Sequence, residues 1–236
     1  MTNILILGGS RGLGAALSWG VPERGDKVWL VSRGRPDLDD RDGVQRAWIE
    51  ADLSAHGAGT IIARAVTDTT LDVVIYNAGI WEHNAFQDTY DFMRVDDAET
   101  ERIIAVNLTS AITCIRALLP NLRKSTGAKL VFIGSTSGLD NSSGREVAYA
   151  ASKFGLRGAT HALRENLRTD GIAVTCLNPG NIGTITVERG IVSASPHESR
   201  EMIPPEDLIA IVKCVVGLSN ASCVKEIDVM AMTDRV

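Results

Sequence analysis

The sequence predicts a doubly wound α/β fold, a parallel sheet of about seven strands with helices on both faces. Three observations predict it. Short apolar runs alternate with longer segments of helical period along the 236 residues. The early runs are predominantly apolar and do not alternate, as suits parallel strands buried on both faces. The first strand meets its helix through a glycine-rich turn, where a central strand has to bend sharply into a helix packed on the sheet.

In chain order, strands are expected at Ile4 to Leu7, Val28 to Ser32, Trp48 to Ala51, Val73 to Tyr76, Leu130 to Gly134, Val174 to Leu177 and Glu226 to Met230. Helices are expected at Leu13 to about Gly20, Gly59 to Thr67, Ala98 to Arg123, Ala148 to Arg168 and Pro205 to Gly217. Gly20 and Pro22 should shorten or kink the first. Arg33 to Gly43 is polar and turn-rich and reads as a loop. Asn181 to Pro204 has few periodic features and is expected to be a mobile substrate loop. With no internal repeat and no Pro/Ser-rich linker, one domain over residues 1–236 is the economical organisation.

Composition narrows the function. Hydrophobic residues make up 44% and charged residues 22%, an ordinary globular balance. The net charge of −5 gives no attraction for nucleic acid or a membrane surface. No apolar run approaches the ~20 residues of a spanning helix, and the N-terminus runs straight into the first strand without a basic leader. Cys114, Cys176, Cys214 and Cys223 lack C-x-x-C spacing and read as buried, reduced thiols, which implies a cytoplasmic setting. No His/Asp/Glu cluster has metal-ligand spacing. His161 and His197 have no partner at useful spacing and read as surface residues.

The turn Gly8-Gly9-Ser10-Arg11-Gly12-Leu13-Gly14 fits dinucleotide binding. Its glycines permit the sharp bend, the approach of a pyrophosphate to the backbone and tight helix–strand packing. The helix N-terminus offers free N–H groups and a positive dipole end to phosphate. No G-K-[ST] follows, so the turn is not a P-loop. At the end of the second strand, a carboxylate would bind both ribose hydroxyls and repel a 2′-phosphate. This chain has Ser32-Arg33 there, with Arg35 close by and Arg11 inside the turn. Guanidiniums converging on the ribose suit a phosphate dianion, which favours NADP(H) over NAD(H).

Taken together, these residues resemble the short-chain dehydrogenase/reductase family in its smaller branch, a Rossmann-type fold. The elements occur in order across nearly the whole chain: Gly8-x-x-x-Gly12-x-Gly14, Asp52-Leu53, Asn77-Ala78-Gly79, Asn107, Ser135, Tyr149-x-x-x-Lys153 and Asn178-Pro179-Gly180. The resemblance implies that Asp52 and Leu53 border the adenine and that Asn77, Ala78 and Gly79 line the strand end under the cofactor. It implies that Pro179 and Gly180, with Ile182 and Thr184, hold the nicotinamide carboxamide, and that Lys153 also binds the nicotinamide ribose. The chain departs from the family at Tyr76, where an asparagine is usual, and at its C-terminal end, which lacks an Asp-Gly-Gly.

The chemistry expected is hydride transfer between nicotinamide and a carbonyl or alcohol carbon. Tyr149 and Lys153 are four apart on a helix and share one face. A free phenol, with a pKa of about 10, is a poor base near neutrality. A nearby ammonium favours the phenolate, so Lys153 is expected to lower the Tyr149 pKa and fit it for general acid/base work. Ser135, preferred to Ser137 because Gly138 follows it at the family's spacing, is expected to hydrogen-bond the substrate oxygen. Asn107 is expected to anchor a water linking Lys153 to solvent. Trp81 and His83 are candidates for the pocket wall. The partners expected are a small carbonyl or alcohol substrate and a second copy of the chain, as homodimer or homotetramer. The alternative is a non-catalytic NADP(H)-binding sensor, which would have no need of both Tyr149 and Lys153.

Overall fold

A computed structural model describes residues 1–140, 144–188, 191–194 and 200–234, with backbone alone at 186, 188 and 191–194. Seven strands pair in parallel in one sheet: β1 Asn3–Leu7, β2 Lys27–Ser32, β3 Gln45–Glu50, β4 Val73–Tyr76, β5 Lys129–Ile133, β6 Ala173–Pro179 and β9 Glu226–Val229. Their spatial order is β3-β2-β1-β4-β5-β6-β9. The chain therefore winds outward one way from β1 and then the other way from β4. A crevice opens at that reversal, outside the carboxyl ends of the strands.

Each face of the sheet has its own core. Leu5, Leu7, Val74 and Tyr76 point to a layer formed by α2 Ala58–Ala65, α4 Ser110–Leu122 and α5 Val147–Leu167. Ile4, Ile6, Val28 and Ile75 point to α1 Gly12–Gly20 and α6 Pro205–Gly217. Alternation within each strand sends successive residues to opposite cores, and since both faces are covered, every position can be apolar. α1 stops at Gly20, where a Cβ would come 2.6 Å from Ile209 of α6, so this glycine also sets the approach of the two helices.

The structure refines several expectations. The strand expected from Trp48 begins at Gln45, because edge strand β3 exposes every other residue in its first half and reads as polar there. The long helix expected from Ala98 to Arg123 is continuous in path but divided. α3 Asp97–Ile104 passes through a π-helical turn, Ala105–Thr109, into α4. This stretch, Asp97–Leu122, has the length and mean hydropathy (1.6) of a spanning segment. Its buried Ala111, Cys114, Ile115 and Leu118 pack in the first core. Within the segment read as a loop, Ile185–Glu188 (β7) and Ile191–Ala194 (β8) form an antiparallel hairpin. Residues 189–190 and 195–199, His197 among them, lie outside the described residues. Cys114 and Cys176 are buried as expected, but Cys214 and Cys223 are exposed: α6 and the β9 approach turn them to the surface. His161 has a partner after all, since its Nε2 lies 3.6 Å from Glu226.

Candidate active site

The carboxyl ends of β1, β2, β4, β5 and β6 open into one cavity of about 580 Å3. At its floor the turn after β1 is shaped by backbone contacts. Gly8 has φ +86° and donates its N–H to Val31 O at 2.9 Å. A Cβ on Gly8 would come 2.8 Å from the Ala78 backbone, and one on Gly14 would come 1.9 Å from Gly8 O. Gly14 thus lies behind the cavity wall, where it lets α1 press on β1. Gly12 has φ +53° with nothing within 4 Å of a Cβ, so here glycine supplies conformation and not clearance. α1 begins here with no side-chain cap, which leaves its first N–H groups without an intrahelical partner. Asn77 Nδ2 donates to Gly8 O at 3.0 Å and ties β4 to the turn.

One end of the cavity is lined by Ser10, Arg11, Ser32, Arg33, Asp52 and Leu53. The Ser32 hydroxyl donates to Gly34 O at 2.7 Å and closes the β2 exit turn. Asp52 accepts from the Ser54 hydroxyl at 2.7 Å and the Ser54 N–H at 2.9 Å. These bonds, with the charges of Arg33 and Arg102, hold its carboxyl below the usual range. Arg11 and Arg33 make no ion pair among the described residues; nor does Arg102 of α3, which also lines this cavity. Sequence reasoning missed Arg102. It lies one turn before Val106, another lining residue, so helical spacing could have found it.

The other end holds Ser135, Tyr149 and Lys153. Tyr149 and Lys153 rise from consecutive turns of α5, with the ammonium 5.6 Å from the phenol ring centre. Lys153 Nζ donates to Ile133 O at 3.0 Å. Its burial penalises the charged form and brings its pKa down to about 8. Ser135 accepts from Ser137 N–H at 3.1 Å and engages the Tyr149 phenol. A Cβ at Gly138 would meet the Lys153 backbone at 2.9 Å, so that glycine lets the Ser135 turn lie against α5. Ser137 is buried beside Ser135 and does not line the cavity.

One expectation about this end is corrected. Tyr149 does not stand below its ordinary pKa in this structure. Burial raises it, the Ser135 bond only partly offsets that, and the carboxylates of Glu146 and Glu82 raise it further. Desolvation and two facing negative charges outweigh an ammonium that is itself easily deprotonated.

Asn107 is fully buried in the π-helical turn. Its Oδ1 accepts from Ile80 N–H at 2.8 Å, and its Nδ2 donates to Ile80 O at 2.7 Å and Ser152 Oγ at 2.9 Å. The side chain is thereby committed to pinning the β4 exit against α5. Tyr76, where the family usually has asparagine, is buried; its hydroxyl bonds Val106 O and Ser110 Oγ and steadies the same turn. Turns of this kind often mark functional sites because the extra residue re-aims its neighbours.

Ala78, Gly79, Pro179, Gly180 and Ile182 line the cavity as expected; Thr184 is exposed and does not. The chain leaves the cavity through Gly183 before Thr184, whose side chain falls on the outer side. Trp81 lines the cavity, whereas His83 lines a neighbouring polar one. The rings of Trp81 and Phe86 stand edge-on to Tyr149, with centres 6.3 and 5.6 Å away.

A crevice at the reversal of a parallel sheet, ending in a buried phenol and ammonium, has the layout of a dinucleotide-dependent oxidoreductase. The chain belongs to the short chain dehydrogenase family, whose profile matches residues 2–190. It is 31% identical to 3-dehydrosphinganine reductase TSC10B of Arabidopsis thaliana over 77% of its own length, a match spanning about half (55%) of that relative. It is 30% identical to D-xylose 1-dehydrogenase of Caulobacter vibrioides, covering 93% of this chain and 90% of that one. The same fold is seen in a metagenomic short-chain oxidoreductase in complex with NADP (TM-score 0.74, 23% identity, 99% and 98% of the two chains). It recurs in a 3-oxoacyl-[acyl-carrier protein] reductase with bound NAD from Brucella melitensis (TM-score 0.75, 24% identity, 98% and 90%).

Proposed function

We propose that the protein is an NADP(H)-dependent dehydrogenase or carbonyl reductase acting on CH–OH groups, with Tyr149 as its general acid/base. The observation that carries this reading is the layout of the cavity. Unpaired Arg11 and Arg33 line one end, and Tyr149, Ser135 and Lys153 converge at the other. The residues present fit the cofactor: the glycine turn leaves room beside an uncapped helix N-terminus, and Gly12 faces open space. Gly8, Ser10, Gly12 and Leu13 would hold the pyrophosphate, and Ser32, Arg33 and Arg11 the 2′-phosphate. Asp52 and Leu53 would border the adenine, and Asn77, Ala78 and Gly79 would lie beneath the sugar. Lys153 would bind the nicotinamide ribose, and Pro179, Gly180 and Ile182 would flank the carboxamide. The nicotinamide, when bound, supplies or takes the hydride.

The protein's own residues manage the oxygen. Ser135 orients the substrate oxygen by a hydrogen bond and steadies its developing charge. Tyr149 gives its proton to that oxygen during reduction and takes one during oxidation. The raised pKa of Tyr149 keeps it protonated at neutrality, which suits the reducing direction. Lys153, poised near pH 8, restores the proton from solvent.

Relatives named as a reductase and a dehydrogenase support the reaction class. The choice of NADP(H) over NAD(H) rests on the two arginines, because structural neighbours carry either dinucleotide. The exposed Ile112 of α4, with Val147 and Phe154 of α5, supports pairing of two copies through these helices, as a homodimer or homotetramer. The deciding experiment titrates NADPH and NADH into the purified protein and follows NADPH absorbance across a panel of ketones and aldehydes. NADPH should bind more tightly and be consumed with at least one carbonyl compound. Binding without consumption across the panel would instead support a nucleotide sensor.

A further inference from the structure

α5 begins without a cap of its own. Its N-cap residue, Glu146, makes no side-chain bond to the helix and turns away: Oε1 accepts from Phe86 N–H at 2.8 Å and Oε2 from Arg145 N–H at 3.0 Å. The helix's free N–H groups go to a carboxylate from another part of the chain. Glu82, in the connection after β4, accepts through Oε1 from Ala148 N–H at 2.9 Å and Tyr149 N–H at 3.3 Å. Glu82 is 1% exposed, and its Oε2 has no hydrogen-bond partner. A buried carboxylate with one oxygen unpaired is costly unless something opposes its charge. The positive end of a 21-residue helix does so here.

We propose that Glu82 is a positioning residue for Tyr149: it caps the first turn of α5 from outside the helix and holds the tyrosine at the cavity end. The proposal rests on the reading of Tyr149 as the acid/base group. The bond to the Tyr149 N–H fixes the residue that carries the phenol, and the second carboxylate oxygen is left without a hydrogen-bond partner.

Among the described residues, four charged groups bear on this end of α5. Glu82 comes from the β4 connection, and Glu146 and Arg145 from the residues ahead of α5. Lys153 lies one turn further along. The Arg145 guanidinium is directed to Gln87 O at 3.1 Å. Burial opposes the phenolate most, the Ser135 bond favours it, and the Glu146 and Glu82 carboxylates add to the side of burial. Glu82 and Glu146 also fasten both ends of the segment that presents Trp81 and Phe86, and Phe86 adopts φ +63°, a conformation that only a firm hold maintains in a bulky residue.

The test compares Glu82→Gln and Glu82→Asp with the wild type in three measurements: the pH dependence of kcat, the split between kcat and KM, and tyrosinate absorbance on titration with base, read as a difference against Tyr149→Phe. Glu82→Gln keeps the shape and an acceptor for the helix but removes the charge. It is expected to move the Tyr149 midpoint down, with NADPH affinity unchanged. Glu82→Asp keeps the charge but withdraws it from the helix. It is expected to lower kcat about tenfold, corresponding to one lost charge-assisted bond. A Glu82→Gln protein with the wild-type midpoint, or a Glu82→Asp protein with wild-type kcat, overturns the proposal. The absorbance titration needs no turnover. If no carbonyl compound is reduced at all, the reading of the function fails while the titration still decides the role of Glu82.

Discussion

The two ends of the cavity are built by different means. The end proposed for the nucleotide is built on a backbone turn, whose shape follows from glycines within seven residues of chain and from one asparagine bond. The end proposed for the carbonyl is held by side chains that reach across the chain. Glu82 holds residues 66 and 67 positions away, Asn107 holds Ile80, and Tyr76 holds the π-helical turn. Backbone-made features tolerate little change but generalise across substrates. Side-chain clamps can be exchanged singly, and they are where one member of a family can differ from another.

The sharpest separation of the ends is Tyr149→Phe. Removing a general acid/base group costs about 10²- to 10⁴-fold in turnover. The nucleotide end does not touch that hydroxyl, so NADPH affinity measured by fluorescence titration should stay within a few-fold of wild type. A parallel loss of binding would show that the ends are not separable. Lys153→Met follows. An ammonium whose pKa falls from 10.5 to about 8 on burial costs the folded state about 3 kcal/mol while charged. Between about pH 8 and 10.5 the unfolded chain binds more protons at this residue than the folded one, so wild-type stability should rise across that window. The methionine variant should lose that rise and melt higher than wild type at neutral pH, while turnover collapses. A wild-type melting curve flat through the window would mean that Lys153 is paid for by a partner the structure does not contain.

What was legible in the sequence follows the same division. All seven strands of the sheet and the five expected helical segments could be placed, because burial on two faces leaves uniform apolar runs in the central strands, edge strands β3 and β9 keep a short apolar run and an apolar alternation, and the intervening helices keep their period. Gly8, Gly12, Ser135, Tyr149 and Lys153 were legible because their spacing carries their geometry. Glu82 was not: it is an isolated acid in a polar stretch, and only tertiary structure brings the start of α5 to it. The sign of the Tyr149 shift was missed for the same reason, since burial and the approach of Glu82 from 67 residues away leave no local mark. The β7–β8 hairpin escaped because four-residue strands outside the main sheet lack enough alternation to be read.

The nucleotide end can be probed at its charges. Arg33→Ala and Arg11→Ala should each weaken NADPH by about 10- to 100-fold, the range for a lost bond to a charged group, and leave NADH within a few-fold. Equal loss for both nucleotides would place these guanidiniums on the shared pyrophosphate and remove the argument for NADP(H).

The smallest effect belongs to Trp81→Ala, and it sharpens the comparison most. Trp81 is 54% exposed, lines the cavity, and stands perpendicular to the Tyr149 ring. It makes none of the hydrogen bonds that fix Tyr149, Ser135 or Lys153. Edge-to-face contacts of this type contribute about 0.5–1.5 kcal/mol. Truncation should therefore lower kcat/KM for ketones with a flat apolar group by up to about tenfold and leave small aliphatic carbonyls and NADPH affinity nearly unchanged. A uniform fall for every carbonyl would mean that Trp81 supports Tyr149 itself. The carbonyl end would then be a single cooperative clamp, in which specificity cannot be altered without altering the acid.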